Sequence, residues 1–366
     1  MAVTGRRAGS VIRDAASTSP DAAAFRHRVL ELLQGWVPFD AGCLGTTEPV
    51  TMLPTSLTTV GYDGPAHYPT AIDIEFGLGE EIGRFETMQH LSVPVRTLSQ
   101  VTQGRPGSCR LYSEILAPNG LRHEVRVLFR GRDGHAWGAA TLARAGVDFT
   151  TEELVLLGAV LTDVGDGLRG TLFRDAAATA TRRTLGPAVA VVGDTSELLS
   201  CTDAAHDYLA RLGWGPDHGR VLAGPAILAA AWLRRSGQLS GTTRARTTDG
   251  EWVLIRCGLV AGSNAVLLTF EPAQARDLIP LAATAYGLTR REREVMVHLL
   301  ADRSREEIAR ELFLSPYTVQ DHLKSIYAKT GTSGRRGLVS LLVATECVPR
   351  VGSELGPDGW FVAHPR

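Results

Sequence analysis

The chain has 366 residues, a formal net charge of −1, 44% hydrophobic residues and 21% charged residues. That length predicts two or three domains with cores of their own, and the balanced charge excludes both a disordered chain and a uniformly basic nucleic-acid coat. Of the 38 basic residues only Lys324 and Lys329 are lysine, an imbalance that looks like the coding bias of a GC-rich genome until their position is considered.

Residues 1–20 are small, polar and arginine-containing and predict a disordered tail. From Asp21 to Trp36, Phe25, Val29, Leu30 and Leu33 recur at helical spacing. Ile72, Ile74 and Phe76 alternate with polar residues and predict a strand over 70–76. Two more strands, 121–129 and 136–142, flank a glycine-rich turn at 130–134 and predict a hairpin. Thr150 and Glu153 form a capping box that opens a long helix, with Leu154, Leu157, Leu161, Val164, Leu168 and Leu172 in one stripe. That stripe is expected to pack on the sheet rather than form a dimer seam. Gly158, Gly165, Gly167 and Gly170 lie off it and cost the helix about 1 kcal/mol each. Residues 21–174 therefore read as an α+β, sensor-like domain.

A linker is expected over 175–186, and a second α+β pattern over 187–273. The latter holds a β run at Val189–Val192, a helix near 203–212, and paired strands at 251–259 and 265–270. Residues 274–287 read as another linker and 346–366 as a tail. No self-similar repeat is evident.

No run approaches the ~18 apolar residues of a membrane span, and Arg6 and Arg7 are not followed by the apolar stretch of a signal peptide. Cys43, Cys109, Cys201, Cys257 and Cys347 are isolated, and the ten histidines lack metal-ligand spacing. A cytoplasmic chain with no membrane partner, no metal and no cofactor is the expectation. Neither a nucleophile elbow nor a phosphate loop is visible, so no enzyme activity is expected.

The most informative stretch begins at Leu288. Thr289 with Glu292 and Ser304 with Glu307 are two capping boxes, and Ser315-Pro316 is an N-cap followed by proline at the first helical position. The second and third helices are separated by only Phe313 and Leu314, the connection that a helix-turn-helix needs. A fourth helix is expected from Ser333 to Val343, with Leu338, Leu341 and Leu342 seeking a partner face. On the third helix, Val319, Leu323 and Ile326 form an apolar stripe that joins Ile308 and Ala309 as the core of the motif. Tyr317, Gln320, Asp321 and Lys324 occupy the other face, where Gln can pair with adenine, Lys with guanine and Asp with cytosine N4. Residues 289–336 hold ten Lys/Arg and seven Asp/Glu, so the basic surplus of the chain lies on this module.

The block from Leu288 to Val295, with Glu307-Ile308-Ala309, Leu314 to Val319, His322 and Lys329-Thr330-Gly331, resembles the LuxR-type helix-turn-helix of the LuxR and NarL/FixJ regulators. The likeness covers about 60 of the 366 residues. It implies a transcription regulator whose recognition helix enters the major groove of double-stranded DNA, with base contacts from Gln320, Asp321 and Lys324. Backbone contacts are implied for Thr318 and Lys329, with His322 a phosphate contact or a packed residue. A homodimer is implied, and RNA polymerase is a candidate partner. Asp302 departs from the pattern, because the family usually carries glycine there.

Upstream, the lack of lysine before 324 excludes a receiver domain and a Walker loop. Residues Trp137 to Leu142 and Phe149 to Leu154, with the following helix, resemble a GAF domain, and 187–273 is weakly similar to a PAS fold. The fold class expected is thus multidomain α+β: GAF-like (21–174) and PAS-like (187–273) sensor domains, then an all-α, four-helix LuxR-type module at 288–345. A small-molecule ligand in the GAF/PAS-like region is a candidate partner. The competing reading is a haem-, flavin- or bilin-based sensor or enzyme with an accessory DNA module. His90 or His123 would be its haem ligands, but ordinary polar or core roles fit them better.

Overall fold

The computed structural model describes residues 4–49, 51–62, 68–76, 83–174, 186–212, 224–248 and 250–343. Among these residues the chain divides into one unit that runs to Pro272 and a second that begins at Ala273. Most of the expected linker at 175–186 and the expected tail at 346–366 lie outside the described residues.

The expected N-terminal tail is instead a helix, α1 (Gly5–Thr18), followed by α2 (Ala22–Trp36). Ala8, Ile12 and Ala15 are buried at helical spacing, and small side chains let α1 lie close to α6 (Thr151–Thr171). A Cβ at Gly5 would stand 2.5 Å from that of Ala159, and one at Gly167 would stand 2.3 Å from the Phe25 ring. Arg13 ties the pair by donating to Asp163 at 2.6 Å. Low apolar content hid this helix, because apart from Ile12 its burial comes from close backbone approach rather than from large side chains. For the same reason the α6 glycines do not interrupt it: Gly165 and Gly167 are buried contact points.

The first sheet is antiparallel, with β1 (Ala41–Thr47), β2 (Pro54–Val60), β3 (Val95–Thr97), β4 (His123–Arg130) and β5 (Ala136–Arg144) in the order β2-β1-β5-β4-β3. The hairpin forms as expected, with Val127 opposite Ala140 and Phe129 opposite Gly138. Val125, Val127 and Phe129 are fully buried on one face, where Leu168 of α6 reaches Gly138. The alternate residues Glu124, Arg126 and Leu128 lie on the opposite face, which α3 (Tyr68–Phe76), α4 (Phe85–Met88) and α5 (Leu98–Val101) adjoin.

The strand expected over 70–76 is therefore wrong: this segment is the helix α3. Five residues of alternation fit either period when a helix is apolar on more than one side. Ile72 joins the core of the second sheet, while Ile74 joins that of the first.

The second sheet repeats the architecture. β6 (Val189–Val192), β7 (Leu198–Cys201), β8 (Ser240–Arg246), β9 (Trp252–Leu259) and β10 (Val266–Pro272) run in the order β7-β6-β10-β9-β8, again all antiparallel. α7 (Asp203–Arg211) and α8 (Gly224–Ser236) follow β7. Numbered from its own first strand, this is the order of the first sheet, although no sequence repeat announces it. The two sheets share packing, with Leu53 and Ile72 in one core with Ala190, Ile227 and Val253. Buried Glu48 pairs with Arg244 beside them.

The second unit is helical: α9 (Ala275–Ala285), α10 (Arg290–Leu300), α11 (Arg305–Glu311), α12 (Pro316–Thr330) and α13 (Arg335–Val343). The expected linker at 274–287 is thus mostly α9, which buries Leu278, Ile279, Leu281 and Ala282 despite Pro280. Asp277 accepts the Gln274 N–H at 2.9 Å, a helix-start signal that the proline masks. No helix among the described residues is long and apolar enough to cross a membrane.

Candidate nucleic-acid interface

The helices α10, α11 and α12 start and stop on local chemistry. Thr289 Oγ1 accepts the Glu292 N–H at 3.3 Å, and Ser304 Oγ accepts the Glu307 N–H at 3.2 Å. Ser315 Oγ accepts the Thr318 N–H at 3.0 Å ahead of α12, with Pro316 at the first helical position.

The stops are Schellman turns. Arg303 N–H donates to His298 O at 3.1 Å and Asp302 N–H to Leu299 O at 3.2 Å, which places Asp302 in the left-handed region at φ 63°. Its departure from the family's glycine is explained by tolerance: aspartate enters this region more readily than most residues, and its carboxylate pairs with Arg335. α11 ends the same way, with Leu314 N–H on Ala309 O at 2.8 Å and Phe313 left-handed at φ 55°. A bulky aromatic in that conformation is strained, and Phe313 is 95% exposed.

These stops fix the faces of α12. Val319, Leu323 and Ile326 are buried against α10 and α11, where Ile308 and Ala309 are buried too. Tyr317, Thr318, Asp321 and Lys324 are exposed and Gln320 is half-buried. Lys324 Nζ lies 3.8 Å from Asp321 Oδ1, one turn apart, with both side chains mostly in solvent. The Thr318 hydroxyl is 2.9 Å from Ser315 Oγ at the cap. His322 is half-buried.

Lys329 stands apart from this face. Its ammonium donates to Glu292 Oε2 at 2.6 Å and to Gly287 O at 3.2 Å, and its side chain is 33% exposed. Glu292 is a junction that sequence reading recognised only as a capping residue. Its carboxylate also accepts the Thr289 N–H at 2.6 Å and the Ser325 hydroxyl at 2.6 Å. Burial pushes the Glu292 carboxyl up, but Lys329, Ser325 and Thr289 more than reverse this and hold it at about 2. A glutamate opening one helix and a lysine ending another carry no pattern that pairs them; only the packing of α10 on α12 does.

A buried triad of helices with an exposed polar stripe on the third is the arrangement that presents side chains to a groove. The family described as GerE, bacterial regulatory proteins of the luxR family, matches residues 287–342, which span α10 to α12 and nearly all of α13. Within this block the chain is 46% identical over 56 residues to the spore germination protein GerE of Bacillus subtilis strain 168, covering 15% of this chain and 76% of that protein. The chain belongs to the luxR family.

Its solved structural neighbours include Escherichia coli SdiA, at 12% identity and TM-score 0.30, covering 92% of this chain and 95% of that one. A Vibrio cholerae VqmA dimer without target DNA aligns at 16% identity and TM-score 0.20, covering 45% and 85%.

Proposed function

We propose that this luxR-family chain is a homodimeric, sequence-specific transcription regulator in which the two-sheet unit senses a signal and controls the DNA-binding unit. The carrying observation is the division of α12 into a buried apolar stripe and an outer face of exposed Tyr317, Asp321 and Lys324 with half-buried Gln320. In this reading Gln320, Asp321 and Lys324 contact bases and Thr318 contacts the backbone, while double-stranded DNA is the partner. Lys324 and Asp321, close enough to pair in the free protein, separate when each meets its own base edge. Lys329 already donates to Glu292 and Gly287 O, so we assign it first to holding α12 in place.

The sensing role is supported by two sheets of one strand order, by the GAF-like and PAS-like sequence patterns, and by a cavity on the first sheet. RNA polymerase remains a candidate contact of the bound dimer.

The test is genome-wide mapping of the protein on DNA, followed by retention of the enriched duplexes by the purified full chain. A shared motif with two half-sites, bound by a dimer, is the expected result. Retention without sequence preference, or monomers alone on the cognate duplex, would overturn the reading.

A further inference from the structure

The first unit contains a cavity of about 340 Å³, within the size range of small-molecule sites. Its floor is the polar face of the first sheet, where Gly45 and Ala139 stand opposite each other on β1 and β5 and leave room that larger residues would fill. Met52, Leu57, Phe76, Phe85 and Trp232 line the walls. Trp232 belongs to α8, on the second sheet, and its ring rests on β8, since a Cβ at Gly241 would come within 2.4 Å of it.

The polar groups lining this space are largely partnered within the protein. Cys43 Sγ is 3.1 Å from Thr141 Oγ1, Thr47 donates to Ala136 O at 2.9 Å, and Thr51 donates to Glu48 at 2.7 Å. Ser236 donates to Leu233 O at 2.9 Å. The Glu75 carboxylate accepts from Phe85 N–H and from Arg126, each at 2.7 Å. Arg235 pairs with Glu86 and donates to the Glu75 carbonyl at 3.2 Å. A phosphate or carboxylate entering here would meet no unpaired cation among the described lining residues. It would lose its hydration without compensation. Aromatic and aliphatic walls remain, together with the Gln89 amide, which can serve one polar group of a neutral molecule.

We infer that this cavity binds a compact, electrically neutral, mainly aromatic molecule, and that α8 of the second sheet completes its wall through Trp232 and Arg235. The inference rests on the sensing half of the function proposed above. It adds the ligand's chemical class and makes the second sheet part of the site. Because α4 carries Glu86 and α8 carries Arg235, a ligand that fits beneath their ion pair strengthens the joint between the two sheets, whereas one that parts it loosens that joint.

The experiment titrates the full chain with N-phenyl-1-naphthylamine, a neutral aromatic fluorophore, and with its anionic counterpart 8-anilinonaphthalene-1-sulfonate. Saturable binding of the neutral probe at one site, at least about tenfold tighter than the sulfonate, is expected. Equal or tighter binding of the sulfonate, or no saturation, overturns the inference. Ala139→Leu fills the floor and should weaken the neutral probe at least about tenfold, with circular dichroism and duplex retention unchanged; unchanged affinity places the probe elsewhere and refutes the site. Should that variant fail to fold, Trp232→Phe decides. It keeps an aromatic wall and affinity within about threefold, but should lower tryptophan-to-probe energy transfer, with Trp137 and Trp252 remaining as donors, and undiminished transfer refutes the role of α8. A chain that binds duplex DNA but not the probe sinks this inference and leaves the DNA reading standing, and the reverse result does the opposite.

Discussion

Replacing Lys329 by methionine keeps an unbranched apolar stem but strands the Glu292 carboxylate, which is 4% exposed, without its cation. The lowering of this carboxyl from an ordinary 4.5 to about 2 corresponds to ~3 kcal/mol of stabilisation at neutral pH. Lys329 shares that stabilisation with Ser325 and the Thr289 N–H. Its own end is one-third exposed and therefore partly screened by solvent. A loss of about 2 kcal/mol is expected, below the 3–5 kcal/mol for breaking a fully buried pair.

The sign with pH follows from the depressed value. In the wild type the contribution is complete above about pH 4.5 and is lost as pH falls through 2. In the variant the buried, unpaired carboxyl shifts upward and takes a proton in mild acid, so the penalty narrows as pH falls below about 5. The assay is denaturant unfolding of the full chain at pH 7 and pH 4, followed by hydrogen exchange of α10 and α12, alongside duplex binding at several salt concentrations. A destabilisation under about 0.5 kcal/mol at pH 7, together with a salt slope reduced by about 1, would refute the internal tie. That outcome would return Lys329 to the phosphate backbone.

Three further outcomes are expected. Phe313→Gly relieves a left-handed aromatic and should stabilise the C-terminal unit by about 0.5–1 kcal/mol after the entropy of the added glycine, read as a raised unfolding midpoint. Gln320→Ala and Lys324→Ala should each cost about 1–3 kcal/mol on the preferred duplex and relax base preference, measured by competition among single-base variants; Lys324→Ala should also shallow the salt slope. Gly167→Ala, which improves helix propensity by about 1 kcal/mol, should nevertheless destabilise the first unit by about 1–3 kcal/mol. Its new methyl meets the Phe25 ring at 2.3 Å, and differential scanning calorimetry would expose the loss.

Most features governed by local rules were legible in the sequence, the start of α9 at Gln274 and Asp277 excepted. The caps at Thr150, Thr289, Ser304 and Ser315 are satisfied within three residues, so their signal is complete in a short window. The apolar stripe of α12 and the hairpin of β4 and β5 were legible for the same reason, as was the crowding of both lysines onto one helix. Tertiary structure alone decided whatever depends on a distant partner. α1 buries Ile12 but otherwise only small side chains, and the segment itself does not name α6 as the partner they meet. The alternating segment Ile72 to Phe76 is a helix whose apolar residues are shared between two cores, Ile72 in one and Ile74 in the other. Lys329 looked like a free cation until packing brought Glu292, 37 positions away, to its ammonium. Periodicity and capping are properties of a segment, whereas desolvation and charge pairing belong to the assembled interior. The lysine imbalance therefore has two meanings: Lys324 faces outward where DNA is expected, and Lys329 turns to Glu292 of α10 and secures the helix that carries it.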